Sequence, residues 1–269
     1  KEDMQVFTTR VPVGVVAAII PWNSQMFLTA VKLAPALAMG NTIIIKASEI
    51  APTPLLEFAK IIDKVGIPKG VVNIITGFAD TCSKLLTSHQ KINKIAFTGG
   101  VHTAKHIVRN SAENLSQISL ELGGKSPVVV FKDARKNNAI NGIMASIFGA
   151  GGQSCIAGSR LYLQEEIYDE YLEELKNRVE EIEIGDPLST TTQLGPLATL
   201  NQLQNIEEKI KQTKKLGGKI ITGGKKVSEF KNGYYFEPTI IECANHNLPV
   251  VENELFGPVL SVMKFKDEE

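Results

Sequence analysis

The sequence predicts an α/β fold in two domains, the first built on a parallel sheet. Three observations predict it. Short apolar runs alternate with stretches of helical periodicity along the first half of the chain. Runs such as Ile43-Ile44-Ile45 and Val71-Val72-Asn73-Ile74-Ile75 are almost wholly apolar rather than alternating, which is what strands covered on both faces require. At 269 residues the chain has room for two domains, and its texture changes after Gly123-Gly124. The expected division is 1–123 and 124–269.

The elements follow in order. Val11 to Trp22 reads as a buried strand ending at Pro21, and Phe27, Val31, Ala34 and Leu37 set a helix that Gly40 stops. Strand Thr42–Lys46, helix Pro54–Val65, strand Val71–Thr76, helix Ala79–Thr87, strand Lys94–Thr98, helix Val101–Asn110 and strand Gln117–Leu122 repeat the unit. Beyond Ser126-Pro127 come strand Val128–Phe131, helix Ala134–Phe148, a loop of small residues, strand Arg160–Gln164 and a charged helix Ile167–Ile182. Tyr168, Tyr171, Leu172 and Leu175 form the apolar stripe of that helix. A polar helix Gln202–Leu216, strand Lys219–Thr222 and the segment Tyr234–Glu242 complete the second layer.

Charge and cysteine usage narrow the function. Twenty-nine basic residues balance 29 acidic ones, so nothing points to nucleic acid or an anionic membrane, and small-molecule partners are expected. Cys82, Cys155 and Cys243 are widely spaced and odd in number, which fits neither a disulfide framework nor a metal site; a reducing compartment, the cytoplasm, is expected. His89, His102, His106 and His246 are scattered, and no metal is expected. The longest apolar run, Val11 to Ile20, is broken by Pro12 and Gly14 and falls short of the ~20 residues of a spanning helix. No signal peptide precedes it, and the start at Lys1 reads like the middle of a longer chain.

Chemistry concentrates around Cys155. Five of the six residues before it are Gly, Ala or Ser, so the backbone can take positive φ and approach a ligand closely. A loop there that entered a helix would surround a nucleophilic thiolate with N–H groups, whereas a free cysteine is otherwise a small core residue. No GxGxxG or P-loop occurs. Lys46 and Glu49 follow a strand at the carboxyl end, where open α/β sheets bind ligands, and suit ribose hydroxyls or simply a solvated pair. Phe97-Thr98-Gly99-Gly100 leads from a strand into a helix, a pyrophosphate site or an ordinary joint. Asn23 is either an oxyanion donor or the cap of the next helix. Glu121, between leucines, is a desolvated general base or the partner of Lys125 or another cation.

Pro21-Trp22-Asn23, Lys46-Ala47-Ser48-Glu49, Phe97-Thr98-Gly99-Gly100, Glu121-Leu122-Gly123-Gly124-Lys125-Ser126-Pro127, Gly152-Gln153-Ser154-Cys155 and Glu254-Leu255-Phe256-Gly257-Pro258 together resemble the NAD(P)-dependent aldehyde dehydrogenase superfamily. The resemblance runs from about Gln5 to the last residue. It implies a Rossmann-like NAD-binding domain over 1–123 and an α/β catalytic domain over 124–269, both partial, since family members extend further at both ends. It implies Cys155 as nucleophile, Asn23 and the Cys155 N–H as oxyanion donors, and Glu121 as the base that activates water. Lys46, Ser48 and Glu49 would meet the adenine ribose and Gly99 and Gly100 the pyrophosphate. Pro21, Trp22 and Leu122 would also line the cofactor, and Glu254 and Phe256 the nicotinamide ribose. NAD is implied over NADP because Glu49 would repel a 2′-phosphate, although Lys46 nearby leaves NADP open. An aldehyde substrate and a homodimeric or homotetrameric parent are further implications.

The sequence departs from the commonest family pattern at Ala47, where Pro is frequent, at Gly100, where Ser is frequent, and at Ser24-Gln25, where Phe-Pro is frequent. A CoA-acylating dehydrogenase shares the cysteine, but an intact Glu121-Leu122-Gly123-Gly124-Lys125 argues for water as the acceptor. An inactive truncated fragment is the rival from outside the enzymes.

Overall fold

The structure, a computed structural model, describes residues 3–268, and the chain splits into two compact units after Leu122. In the first unit the elements run β1 (Val15–Ile19), α1 (Gln25–Ala38), β2 (Thr42–Ala47), α2 (Thr53–Lys64), β3 (Val72–Thr76), a π-helical turn (Ala79–Ser83) leading into α3 (Lys84–Ser88), β4 (Lys94–Gly99), α4 (Val101–Ser111) and β5 (Gln117–Leu122). The strands form one sheet in the order β3-β2-β1-β4-β5, every pair parallel. This is the expected parallel α/β layer.

Alternation along the strands explains why both faces need helices. Val16, Ala18 and Ile20 pack with Ile43, Ile45 and Ala47 against α1 and α2, through Leu28, Leu33, Ala36 and Leu55. Ala17 and Ile19 point the other way and pack with Ile95 and Phe97 against Leu86, Ala104 and Ile107 of α3 and α4. The first strand is shorter than its apolar run. Residues 11–13 are exposed, and the ladder begins only where the Asn41 and Asn93 side chains have accepted the N–H groups of Val13, Gly14 and Val15. At the other end Pro21 has no N–H to continue it.

The second unit runs β6 (Pro127–Val130), α5 (Lys136–Phe148), a 3₁₀ turn (Gly149–Gly152), β7 (Arg160–Gln164), a 3₁₀ turn (Glu165–Ile167), α6 (Tyr168–Glu180), α7 (Leu200–Lys215), β8 (Lys219–Thr222), β9 (Thr239–Glu242), α8 (Pro249–Glu252) and β10 (Val259–Phe265). Its sheet has the order β6-β7-β10-β9-β8, parallel except for β8 against β9. Leu260 and Val262 of β10 join Leu161 and Leu163 under α5 and α6, where Tyr168, Tyr171 and Leu175 are buried as the stripe requires. Val259 and Met263 face α7, through Leu203, Ile206 and Ile210.

Strand β10 is central, yet the sequence reading placed no strand after Glu254–Pro258. Only Thr239–Glu242 of the segment read from Tyr234 joins the ladder; Tyr234 and Phe236 make isolated bridges. Helix α7 opens on Thr199, whose hydroxyl accepts the N–H of Gln202. Removing such a cap costs ~1 kcal/mol. Thr199→Ala is therefore expected to destabilise the second unit by about 1 kcal/mol in denaturant unfolding followed by a probe in that unit, and an unchanged midpoint would contradict the role given to the cap.

Candidate active site

Cys155 is half-buried in a turn closed by the Ala157 N–H donating to the Ser154 carbonyl at 3.1 Å. The sequence suggested a loop entering a helix. The structure instead ends the helix at Phe148 and leads from the Cys155 turn into strand β7, so no helix N-terminus follows the thiol. Positive φ was expected and is present at Ala150 (51°), Gly151 (63°) and Gly152 (68°).

Two motifs meet at those glycines. A Cβ on Gly152 would collide with the Gly257 carbonyl, so the Cys155 loop and the Glu254–Pro258 loop touch backbone to backbone. Both are gripped by the chain that opens α7. Gln153 Oε1 accepts the Ala198 N–H at 3.0 Å while its Nε2 donates to the Pro196 carbonyl at 3.4 Å, and Gln202 Nε2 donates to the Phe256 carbonyl, which sits at positive φ (54°). Gln202 escaped the sequence reading.

Glu254 is exposed but held from below. A Cβ on Gly123 would strike its carboxylate, and the Gly124 N–H donates to it. Desolvation pushes the Glu254 carboxyl above the ordinary range, outweighing the Gly124 hydrogen bond and the pull of Lys125. Cys243, by contrast with Cys155, is fully buried, and burial pushes its thiol up to about 12. Cys82, like Cys155, is half-buried.

In the first unit, Lys46 is buried and its ammonium lies 2.6 Å from Glu49 Oε2. Burial pushes the Glu49 carboxyl up, but the Lys46 hydrogen bond and charge win and hold it below the usual range. A cation sunk in the sheet is thus more than the solvated pair left open above. Ala47, fully buried, ends β2 opposite Thr76. Ser48 is buried and its Oγ accepts the Ile50 N–H at 3.3 Å.

The turn Pro21-Trp22-Asn23 lies half-buried before α1. Asn23 is not the cap of that helix: Ser24 is, in the left-handed region and with no side-chain hydrogen bond. Gln25, buried at the family's departure from Phe-Pro, ties the turn down by donating from Nε2 to the Trp22 carbonyl (2.8 Å) and the Ala51 carbonyl (2.7 Å). It thereby brings the Asn23 turn beside the loop carrying Ser48 and Glu49.

Gly99 pairs with Leu122 and Thr98 with Glu121 in the β4–β5 register. Gly100 caps α4 with no side-chain bond and open space where a Cβ would stand. Glu121 corrects the sequence reading. It is exposed, as are Leu120 and Leu122, because β5 is the edge strand of its sheet; flanking leucines do not bury it. The cation it influences is Lys32, which burial pushes down and Glu121 pulls back up, and whose Nζ donates to Thr98 Oγ1 at 2.6 Å. Lys125 Nζ is buried without a hydrogen-bond partner among the described residues. Among the described residues no group of three His, Cys, Asp or Glu is placed to hold a metal, and no helix is long and apolar enough to cross a membrane.

The model of the aldehyde dehydrogenase family matches residues 1–269. The chain is 55% identical over its whole length to the (Z)-2-((N-methylformamido)methylene)-5-hydroxybutyrolactone dehydrogenase of Acinetobacter baylyi, covering 55% of that protein. It is 40% identical over 97% of its length to the betaine aldehyde dehydrogenase of Bacillus subtilis, covering 54% of it. A solved NAD+ complex of aldehyde dehydrogenase from Bacillus cereus superposes with a TM-score of 0.93 at 37% identity, over 96% of this chain and 52% of that one. The chain spans about half the length of the curated relatives it matches.

Gly152→Ala should break the contact between the two loops, since the new methyl meets backbone and the residue sits at positive φ. A loss of 1 kcal/mol or more is expected, with hydrogen exchange rising first over residues 149–158. Unaltered exchange there would show that the contact does not hold the loop.

Proposed function

The chain belongs to the aldehyde dehydrogenase family, and on that premise we propose that the protein oxidises an aldehyde to a carboxylic acid with NAD, through a covalent intermediate on Cys155. The observation that carries the reading is the lock between the Cys155 turn and the Glu254–Pro258 loop at Gly152 and Gly257, which anchors a half-buried cysteine next to buried glycines.

A dinucleotide fits the residues present. Uncapped Gly100 at the start of α4 leaves backbone N–H groups for a pyrophosphate, with Gly99 and Leu122 beside them. The Lys46–Glu49 pair and Ser48 would take the adenine ribose, Pro21 and Trp22 the same cofactor, and Glu254 and Phe256 the nicotinamide ribose. NAD, when bound, supplies the hydride acceptor.

The Cys155 thiolate adds to the carbonyl carbon, and the carbonyl π electrons move onto oxygen. The Asn23 amide and the Cys155 N–H donate to the oxyanion of the resulting thiohemiacetal; one such donor is worth roughly 10²–10³ in rate. Once oxidation has left a thioester on Cys155, Glu121 takes a proton from water, whose oxygen attacks the thioester. The acid departs and the sulfur leaves as thiolate. Exposure of Glu121 supports this role, because the base must meet solvent. Hydrolysis is favoured over transfer to CoA on the same ground. The exposed face shared by α4 and β5, with Val101, Val108, Leu120 and Leu122, supports assembly into a homodimer or homotetramer. The unpaired cysteines support a reducing compartment such as the cytoplasm.

Turnover is read at 340 nm against a panel of aldehydes. The panel should include hydroxylactones, the ring-closed forms of oxo acids, given the substrate in the name of the Acinetobacter relative. Cys155→Ala is expected to abolish NADH formation. Glu121→Gln should keep a burst near one equivalent per site and slow the steady state by about 10²–10⁴. Mass spectrometry should find the acyl group on Cys155 and not on Cys82 or Cys243. A full burst in Cys155→Ala, or no turnover with any aldehyde, would overturn the reading.

Cofactor choice gives a second test. Glu49→Gln should relax the preference for NAD over NADP, since a close like-charge pair is worth about 1 to 4 kcal/mol at effective dielectrics of 80 to 20. An unchanged ratio of kcat/KM for the two cofactors would remove Glu49 from the ribose site.

A further inference from the structure

Lys125 sits in an expensive position. Its Nζ is buried and has no hydrogen-bond partner among the described residues, although a buried ammonium normally finds a carboxylate or several carbonyls. Lys125 borders a cavity of about 10 Å³, room for one water molecule, lined also by Gly124, Ser154, Glu254 and Phe256. Glu254 borders the same cavity without closing to an ion pair among the described residues. Its carboxylate already rests on Gly123 and accepts the Gly124 N–H, so its remaining buried neighbour of opposite charge is Lys125.

We propose that Lys125 is a positioning residue: across this water-sized cavity its ammonium holds the Glu254 carboxylate in place as an acceptor for the hydroxyls of the cofactor's nicotinamide ribose. The proposal rests on the reading of Glu254 as a ribose ligand. An ionised carboxylate offers both oxygens as acceptors, whereas protonation turns one of them into a donor, and desolvation at Glu254 works against the ionised state. A fixed positive charge behind it restores the balance without occupying the oxygens the ribose needs. The charges around Lys125 come from three elements: Arg160 of β7 opposes its protonation, while Cys243 after β9 and Glu254 before β10 favour it. Burial and Arg160 prevail and bring the ammonium down to about 8, so the support for Glu254 fades in mildly alkaline solution.

The test follows the Glu254 side-chain carboxyl carbon by NMR in protein labelled with ¹³C-glutamate, its signal assigned by its loss in Glu254→Gln. Wild type should show the carboxylate titration and a second, smaller inflection near pH 8, where Lys125 loses its proton. Lys125→Met should erase the second inflection and raise the first by about 1 unit. Lys125→Met and Glu254→Gln should each weaken NAD binding on the order of 10-fold, and the double variant no further than either alone. A wild-type curve with a single inflection overturns the proposal, and needs no variant to fold. So does weakened NAD binding in Glu254→Gln with unchanged binding in Lys125→Met. Unchanged binding in Glu254→Gln would instead remove Glu254 from the ribose site, whatever the titration shows.

Discussion

Two backbones touching at glycine set the terms for the second unit. Gly152 has no room for a side chain because the Gly257 carbonyl fills it, and Gly257 in turn lies against Ile206 of α7. Two residues of chemical interest hang from this contact, one on each side: Cys155 three residues after Gly152, Glu254 three before Gly257. The start of α7 closes the arrangement from outside. Gln153 reaches back to Pro196 and Ala198, Gln202 reaches forward to Phe256, and Thr199 between them caps the helix. A nucleophile has to be held within a fraction of an ångström to gain from proximity. For the nucleophile proposed at Cys155, backbone contacts and amide side chains would supply that precision while leaving the residue half-buried.

The first unit solves a similar problem with one side chain. Gln25 donates to Trp22 and to Ala51, fastening the turn after β1 to the loop after β2. Asn23 and Glu49 come from carboxyl ends of adjacent parallel strands, β1 and β2, so the sheet brings them near and the glutamine fixes the distance. Lys46 adds a second tie. It stands near the end of a buried strand and pairs with Glu49, which orients a carboxylate that would otherwise swing freely on a loop.

Much of this was legible from residue order. Strands buried on both faces must be apolar throughout, which is why β1 and β2 stood out, and a run of Gly and Ala before a cysteine announced the positive φ angles found there. What failed did so for physical reasons. Strand β10, VLSVMKF, is as apolar as the others, but it follows a motif directly, with no helix to frame it. The end of the first run, Val11 to Val13, is apolar and extended without ladder partners, and composition cannot tell pairing from exposure. Glu121 shows the same limit: neighbouring leucines describe the sequence around it, whereas its exposure depends on which strand lies at the edge of the sheet. The ties from Gln25 to Ala51 and from Gln202 to Phe256 were invisible because they span 26 and 54 residues.

The edge position of Glu121 bears on the chemistry proposed for it. A nucleophile and a hydrolytic base make opposite demands on their surroundings. The first needs fixed geometry and loses by contact with bulk solvent; the second needs a supply of water and tolerates motion until the thioester exists. Cys155, the proposed nucleophile, lies between Gly152 and Gly158, where an added side chain would collide with its surroundings. Glu121 is carried on an outer strand whose end stays open, its backbone pinned by pairing with Thr98 while its carboxylate stays exposed to solvent. Lys32 donates to that same Thr98, and the Glu121 carboxylate favours its charged form. A carboxylate so placed suits the proposed role, open to water at its oxygens and restrained at its backbone.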